Sequence, residues 1–332
     1  MKNKIFFVTG GTGSFGQRFV ETIFKKYDAK KVIIFSRDEL KQFQMKNNPI
    51  FKNYLKKMRF FIGDIRDKER LYYALKQKID YIVHAAALKQ VPIAEYNPSE
   101  AIKTNIIGAQ NLIDVSSEFK IKKVVALSTD KAVSPINLYG ATKLASDKLF
   151  ISANNYSKST SYFVVRYGNV FASRGSVVPF FLEKKKTGVI PITDVRMTRF
   201  NISLDEAVDF VVFTLKSSVG GELFVPKIPS YKIIDIAKAI APKAKIKIIG
   251  IRPGEKLHEE MITSSDSINT LEFKSFYVIT PNSEYFKWNK KKFLKTLRDK
   301  KFQKVKDGFS YNSLYNKHYL SISELEKIVF KK

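Results

Sequence analysis

Short apolar runs alternate with amphipathic stretches through the first half of the chain. IFFVT (Ile5–Thr9), KKVIIFS ending at Ser36, MRFFIGD ending at Asp64, YIVHAAA ending at Ala87 and KKVVALS ending at Ser128 are dense in β-branched, aromatic and small residues. Runs of this length without polar alternation read as strands buried on both faces of a parallel sheet. Between them, apolar residues recur at helical spacing over 14–26, 66–77 and 98–119, the last through Ile102, Ile106, Ile107, Leu112 and Ile113. A helix over 138–156 and the strand YFVVRYGNV continue the alternation. Strand and helix in strict turn predict an α/β fold with a doubly wound parallel sheet, occupying mainly residues 1–165.

After Asn169 the alternation fails. FASRGSVVPFF, GVIPITDVRMTRFNIS and FVPKIPSYKIIDIAKAI place Gly and Pro between short elements. This predicts a smaller, irregular lobe over mainly 166–282, with one return to the sheet near 202–215. Residues 283–332 form a basic tail without an evident role, and its densest run, KWNKKKFLKTLRDKKFQKVK, reads as the outer face of a C-terminal helix. No internal repeat or low-complexity linker interrupts the chain.

Composition narrows the function. The 332 residues, 44% of them hydrophobic, suffice for a sizeable core and exclude global disorder. No apolar run approaches the ~18–20 residues of a membrane span, so no membrane association is expected. MKNKIFFVTGG lacks the long apolar region and cleavage site of a signal peptide, and a cytoplasmic location is expected. The absence of cysteine excludes disulfides, thiolate catalysis and thiolate zinc sites. The net charge of +28 comes from 59 Lys and Arg against 31 Asp and Glu, but the basic residues are dispersed. Attraction of an anionic nucleotide is a more economical reading than nucleic-acid binding. His84, His258 and His318 are scattered, and LHEEM carries Ile262 where a zinc motif needs a second histidine, so no metal is expected.

Two motifs carry chemistry. VTGGTGSFG follows the first strand and opens the first helix, placing Gly10, Gly13 and Gly16 where a backbone turns sharply against a pyrophosphate at a helix N-terminus. The second strand ends in Ser36, Arg37 and Asp38, without a carboxylate at its tip to grip a ribose 2′-hydroxyl. Arg37 can instead fork onto a 2′-phosphate, which favours NADP over NAD, or it can pair at the surface with Asp38 or Glu39. Asp64 ends the third strand and can meet an adenine amino group or cap the next helix. The second motif is STDKAVSPINLYGATK. Tyr139 and Lys143 are four apart and share a helix face, an arrangement suited to proton transfer during hydride removal from a hydroxyl-bearing carbon. Ser128 and Thr129 precede them. Asp130 and Lys131 supply an acid and an amine for which simple hydride transfer has no use, unless Asp130 merely caps a turn.

These residues, with HAAALKQVPIAEYNP, TNIIGAQN, RYGNVFASRGSVVPFF, ITDVRMTRF and GIRPGEKLHE, resemble the extended short-chain dehydrogenase/reductases as far as about Pro281. Within that family the likeness is to the soluble UDP-N-acetylglucosamine 4,6-dehydratases that invert C5. Membrane-anchored retaining relatives generally lack the tyrosine and carry transmembrane segments.

The resemblance implies a dinucleotide site at Gly10, Gly13, Ser14, Phe15, Gly16, Ser36, Arg37, Asp38, Asp64, Ile65, Ala85, Ala86, Ala87, Lys89, Ser128, Tyr139 and Lys143. It implies a nucleotide-sugar cleft at Lys89, Asn169, Val178, Thr193, Arg196, Arg252 and Glu255, with a loop ion pair between Arg252 and Glu255 as the lesser alternative. Thr129, Asp130, Lys131, Tyr139 and Lys143 are the expected catalytic set. Oxidation at C4 acidifies the C5 hydrogen. Lys131 is then the expected base if burial and Lys143 destabilise its ammonium, Asp130 is the expected acid, and Lys143 is expected to acidify Tyr139.

The implied product is UDP-2-acetamido-2,6-dideoxy-β-L-arabino-hex-4-ulose, for pseudaminic acid and flagellin or surface glycans. The cofactor is expected to be tightly bound and recycled, and the protein to be a homo-oligomer. Asn201 departs from the aromatic residue expected there. A nucleotide-sugar 4-epimerase or reductase, or an inactive NADP-binding regulator, is the alternative.

Overall fold

The computed structural model describes residues 1–171, 176–282 and 284–330. Part of the FASRG stretch, residues 172–175, lies outside them, as do Ser283 and the last two lysines of the tail.

The N-terminal half runs β1 (Ile5–Thr9), α1 (Ser14–Tyr27), β2 (Lys31–Ser36), α2 (Glu39–Lys46), β3 (Met58–Ile62), α3 (Lys68–Leu75), β4 (Tyr81–His84), α4 (Val91–Tyr96), α5 (Pro98–Ile102), α6 (Gly108–Glu118), β5 (Lys123–Thr129), α7 (Leu138–Ser152) and β6 (Ser161–Tyr167). It continues through β7 (Asn169–Val170), α8 (Val177–Lys184), β8 (Val189–Ile192), β9 (Thr198–Ile202), α9 (Leu204–Ser217) and β10 (Leu223–Pro226). Then come β11 (Ser230–Lys232), α10 (Ile233–Ile240), β12 (Lys245–Ile248), β13 (Glu260–Ile262), β14 (Thr270–Glu272), β15 (Phe276–Ile279), α11 (Lys290–Thr296), β16 (Gln303–Lys304), β17 (Tyr311–Asn312) and α12 (Ile322–Phe330).

Seven strands pair in parallel in the order β3-β2-β1-β4-β5-β6-β10, and β15, β14 and β16 extend that sheet antiparallel. β1 is buried throughout because helices cover both faces, which is why its sequence shows no alternation. Strand order reverses between β1 and β4, and a doubly wound sheet opens a crevice at the C-terminal ends of strands there.

The helix expected over 98–119 is one rod interrupted by a π-helical turn at Lys103–Ile107. Such turns carry an extra residue and cluster at functional sites. This one turns Asn105, 1% exposed, into the interior.

The return to the sheet divides differently from the expectation over 202–215. Helix α9, held by a capping box between Ser203 and Glu206, packs beside α1. The strand that joins the sheet is β10, paired with β6. β9 instead lies between β7 and β11 in a separate three-stranded sheet. A second core unites α8, β8, α10 and α12 through Val178, Phe181, Ile190, Ile236 and Leu325. Residues 284–330 are folded onto both lobes. Phe293 of α11 is fully buried in the main core and Leu325 of α12 in the second, because apolar residues punctuate the lysines.

Candidate active site

A cleft of about 1430 Å³ runs between the lobes. Its floor is the glycine loop. Gly10 has φ +65°, and a Cβ there would meet the Ala86 nitrogen at 2.8 Å. A Cβ on Gly16 would meet the Gly11 Cα at 2.5 Å, so only hydrogen lets α1 start this close to the turn. Gly13 caps α1 without a side-chain hydrogen bond, leaving the helix N-terminus open toward the cleft. Open amide donors at a helix N-terminus, cradled by glycines, fit a dinucleotide pyrophosphate. Ala85, Ala86 and Ala87 form the opposite wall, with the Ala85 and Ala86 amides donating to Thr9 Oγ1 at 3.2 Å. Thr9 also bonds the buried ring of His84, whose pKa burial pushes down to about 3.

At the adenosine end, Ser14, Phe15, Ser36, Arg37, Asp38, Asp64 and Ile65 all line the cleft. The local roles of the carboxylates separate clearly. Asp38 caps α2 by accepting from the Lys41 amide at 2.9 Å. Asp67, not Asp64, caps α3. Asp64 holds Arg66 at 2.7 Å and Arg37 at 3.5 Å. Burial opposes its ionisation, but Arg66 and then Arg37 hold its carboxyl below the usual range. Arg37 is 53% exposed at the rim, with its guanidinium reaching over the cleft wall. Ser36 is occupied by Gln42, whose amide donates to Ser36 Oγ at 3.0 Å.

At the other end, Asn137 caps α7 and starts the helix that carries Tyr139 and Lys143 into the cleft. Burial pushes the Tyr139 phenol up to about 12, partly offset by the Lys131 ammonium and the Thr129 hydroxyl. The expected acidification of Tyr139 by Lys143 is therefore corrected: the cation acting on the phenol is Lys131. Lys143 is itself lowered by burial, with Asp147 one turn along opposing that shift. Asp147 is buried, accepts from Ser128 Oγ at 2.6 Å and pairs with Arg166 at 3.3 Å. Lys89, also lowered by burial and then by the charge of Lys131, sits in a loop stapled by Asn105. Asn105 accepts from the Leu88 amide and donates to the Leu88 carbonyl, both at 2.9 Å.

Asp130 and Lys131 form a three-residue turn capped by Thr129, which accepts from the Lys131 amide at 3.3 Å, so Asp130 is not the cap. The Lys131 ammonium donates to Asp130 Oδ1 at 3.1 Å and to Asn169 Oδ1 at 3.1 Å. It also lies 3.6 Å from Glu259 Oε1. Burial alone would destabilise this ammonium, but Asp130 and then Glu259 outweigh it and raise the lysine above its ordinary value. The expectation of a destabilised ammonium is thus reversed, because two buried carboxylates face it and Lys143 does not. Asp130, fully buried, is pushed up chiefly by desolvation, and its Oδ2 has no partner.

The substrate end also differs in part from expectation. Asn169, Val178, Thr193, Arg252 and Glu255 line the cleft, with Arg252 and Glu255 3.9 Å apart. Arg196 is not brought to it: the side chain is 65% exposed and folded onto Asp194 at 2.7 Å, two residues back in the same turn. Asn201 is 6% exposed within β9 and lies neither on the surface nor on the cleft lining. Glu259, Arg199, Asn105 and Asp147 were not singled out from sequence. Only Asp147 carried a local signal, its i+4 spacing from Lys143. Among the described residues, no group of three or more His, Asp or Glu could hold a metal, and no helix is long and apolar enough to cross a membrane.

The family model described as polysaccharide biosynthesis protein matches residues 6–281. A Campylobacter jejuni protein named UDP-N-acetylglucosamine 4,6-dehydratase (inverting) is 55% identical over 97% of this chain and 96% of its own. A Rickettsia bellii protein named UDP-glucose 4-epimerase is 42% identical over 83% of each chain. The X-ray structure of Pen from Bacillus thuringiensis superposes with a TM-score of 0.87 at 35% identity, covering 100% of this chain and 99% of that one.

Proposed function

The chain belongs to the polysaccharide biosynthesis protein family and to the extended short-chain dehydrogenase/reductases, and on that premise we propose that it dehydrates UDP-N-acetylglucosamine across C5 and C6 with inversion at C5. The observation that carries the reading is the buried Asp130–Lys131 pair, whose lysine opens onto the same cleft as Tyr139 and Lys143. Hydride transfer at C4 uses Tyr139 alone as proton acceptor. The acid–amine pair is required only if a C–H and a C–O bond must both break.

The glycine loop, Ala85–Ala87 and Lys143 would hold the dinucleotide. Arg37, exposed at the rim, would pair with a 2′-phosphate, which favours NADP over NAD. A bound nicotinamide would supply the hydride acceptor for C4 and the hydride donor for C6, with no net consumption of cofactor. Tyr139 rests as a phenol, so it must give its proton to solvent before it can act; the Lys131 ammonium and the nicotinamide's positive charge would favour that phenolate, which then accepts the C4 hydroxyl proton during oxidation. Lys131 rests as an ammonium, so it must shed a proton before it can act as a base. Asp130, raised by burial and 3.1 Å away, receives that proton along the existing hydrogen bond. One transfer leaves a neutral amine to take the C5 proton, and behind it a carboxylic acid, wholly buried and off the cleft lining, whose proton replaces the one that Lys131 passes on to the departing C6 hydroxyl as water. A proton returned to C5 from the opposite face produces inversion. The sugar loses one water with no net redox change, and the product fits the opening of pseudaminic acid synthesis. The basic cleft, with Arg37, Lys89, Arg199, Arg252 and Lys256, suits a doubly charged nucleotide.

Proton NMR of the product from UDP-N-acetylglucosamine tests the reaction. A 6-deoxy-4-keto sugar formed without added reductant is expected, with deuterium at C5 in heavy water. A C4 epimer retaining its C6 hydroxyl would identify the activity carried by the Rickettsia relative's name and sink the dehydratase reading.

Arg37→Ala is expected to weaken NADP binding about ten- to a hundredfold through loss of a charge-assisted contact worth roughly 1.5–3 kcal/mol, while leaving NAD binding nearly unchanged. Titration of both cofactors checks this, and equal weakening would show that Arg37 does not read the 2′-phosphate.

A further inference from the structure

Glu259 is buried, 2% exposed, lines the cleft, and has one carboxylate oxygen, Oε2, without a hydrogen-bond partner. It is joined to Lys131 at 3.6 Å and to Arg199 at 3.6 Å through Oε1. A carboxylate withheld from water needs such partners, and removing it leaves buried cations uncompensated. Its backbone is fixed independently: the Glu259 amide donates to Ser313 Oγ at 2.9 Å, and its carbonyl accepts from the Ser313 amide at 2.7 Å. Arg199 is likewise pinned, donating to the Thr198 and Leu257 carbonyls at 2.8 and 3.0 Å. The carboxylate is therefore held beside Lys131 by elements that do not depend on the ion pair.

We infer that Glu259 is a positioning residue for the elimination, fixing how many protons the Asp130–Lys131 pair holds at working pH. This rests on the dehydratase reading and deepens it. An ammonium has three N–H donors, and Lys131 faces three oxygen acceptors: Asp130, Asn169 and Glu259. The working pair holds a single proton that moves between Asp130 and Lys131. A second proton leaves no base, and loss of the first leaves no acid. A fixed negative charge beside the pair favours every protonated state, so it raises both limits.

Other charged and titratable groups surround the pair. Arg199 and Lys256 face Glu259, and burial opposes its ionisation, yet Lys131, Arg199 and Lys256 together hold it as a carboxylate below its ordinary range. Arg199 also opposes the charge on Lys131. Tyr139, Tyr231 and Lys89 stand on the remaining sides of the pair. Among the described residues, Glu259 is the carboxylate outside the pair that acts most on both Asp130 and Lys131. Glu260 is separate, bonding Ser134 at 3.4 Å.

The test is the pH–rate profile of C5 deuterium exchange and product formation in Glu259→Gln, which keeps the shape and removes the charge. Both limbs of the bell are expected to move to lower pH by about one to two units. NADP affinity should be unchanged, because Glu259 lies at the sugar end. Glu259→Asp retains the charge and should return both limbs toward the wild-type positions. A Glu259→Gln enzyme that is slower at every pH with unmoved limbs would overturn the inference and leave a packing role. Equal profiles for Glu259→Gln and Glu259→Asp would overturn it too. Failure of the wild-type protein to form a 6-deoxy-4-keto product would remove the dehydratase reading and this inference with it, whereas product formation with unmoved limbs removes the inference alone.

Discussion

Lys131→Met is expected to oxidise UDP-N-acetylglucosamine at C4 and then stop. Methionine fills the aliphatic course of the lysine but supplies no nitrogen to take the C5 proton. Single-turnover mixing should show a rise in reduced-nicotinamide absorbance that does not decay, with C5 exchange and water loss down about a hundred- to ten-thousandfold. Asp130→Asn is expected to do the same, for a reason the geometry makes specific. The Lys131 proton has its exit at Asp130 Oδ1, 3.1 Å away, and an asparagine cannot receive it. Both variants should therefore lose C5 exchange, although only Lys131 meets C5. Wild-type C5 exchange in Asp130→Asn would show that the lysine sheds its proton elsewhere. Normal turnover in both would make Asp130–Lys131 a structural turn.

Tyr139→Phe is expected to block the sequence one step earlier. The ring keeps its place at the α7 N-terminus, beside Ala94 and Ala101, and only the oxygen that accepts the C4 hydroxyl proton is lost. No absorbance change, no C5 exchange and no product should appear on the time scale of wild-type turnover, a loss of about a hundred- to ten-thousandfold. NADP should still bind, because the glycine loop and Arg37 are untouched. Lys143→Met, unlike Tyr139→Phe, should weaken the cofactor, because Lys143 lines the dinucleotide end of the cleft, and it should slow the same first step through that loss. An absorbance rise in Tyr139→Phe at the wild-type rate would assign the first proton transfer to another group. The two sets of variants thus divide one short stretch of sequence into an oxidation step and an elimination step.

Local pattern determined much of this protein. The uninterrupted apolar runs specify parallel strands because both faces of those strands are buried. The glycines specify a cofactor turn because a Cβ at Gly10 or Gly16 would strike backbone. Tyr139 and Lys143 share a helix face by spacing alone, and Asp130 and Lys131 are adjacent in the chain. What only the tertiary structure decided is the charge state of that set. Glu259 reaches Lys131 from a distant element, and its carboxylate, with that of Asp130, inverts the expectation that burial would neutralise the lysine, against the opposing charge of Arg199. Asp64 is shared between Arg66, two residues on, and Arg37 from the end of the neighbouring strand, and the short turn at Asp194 takes Arg196 away from the cleft. The basic tail is folded because Phe293 and Leu325 find cores built by other segments. Periodicity reports which face of an element is buried. It carries no record of which distant charge will lie within 4 Å, and in a buried site the energy of a proton depends on that distance.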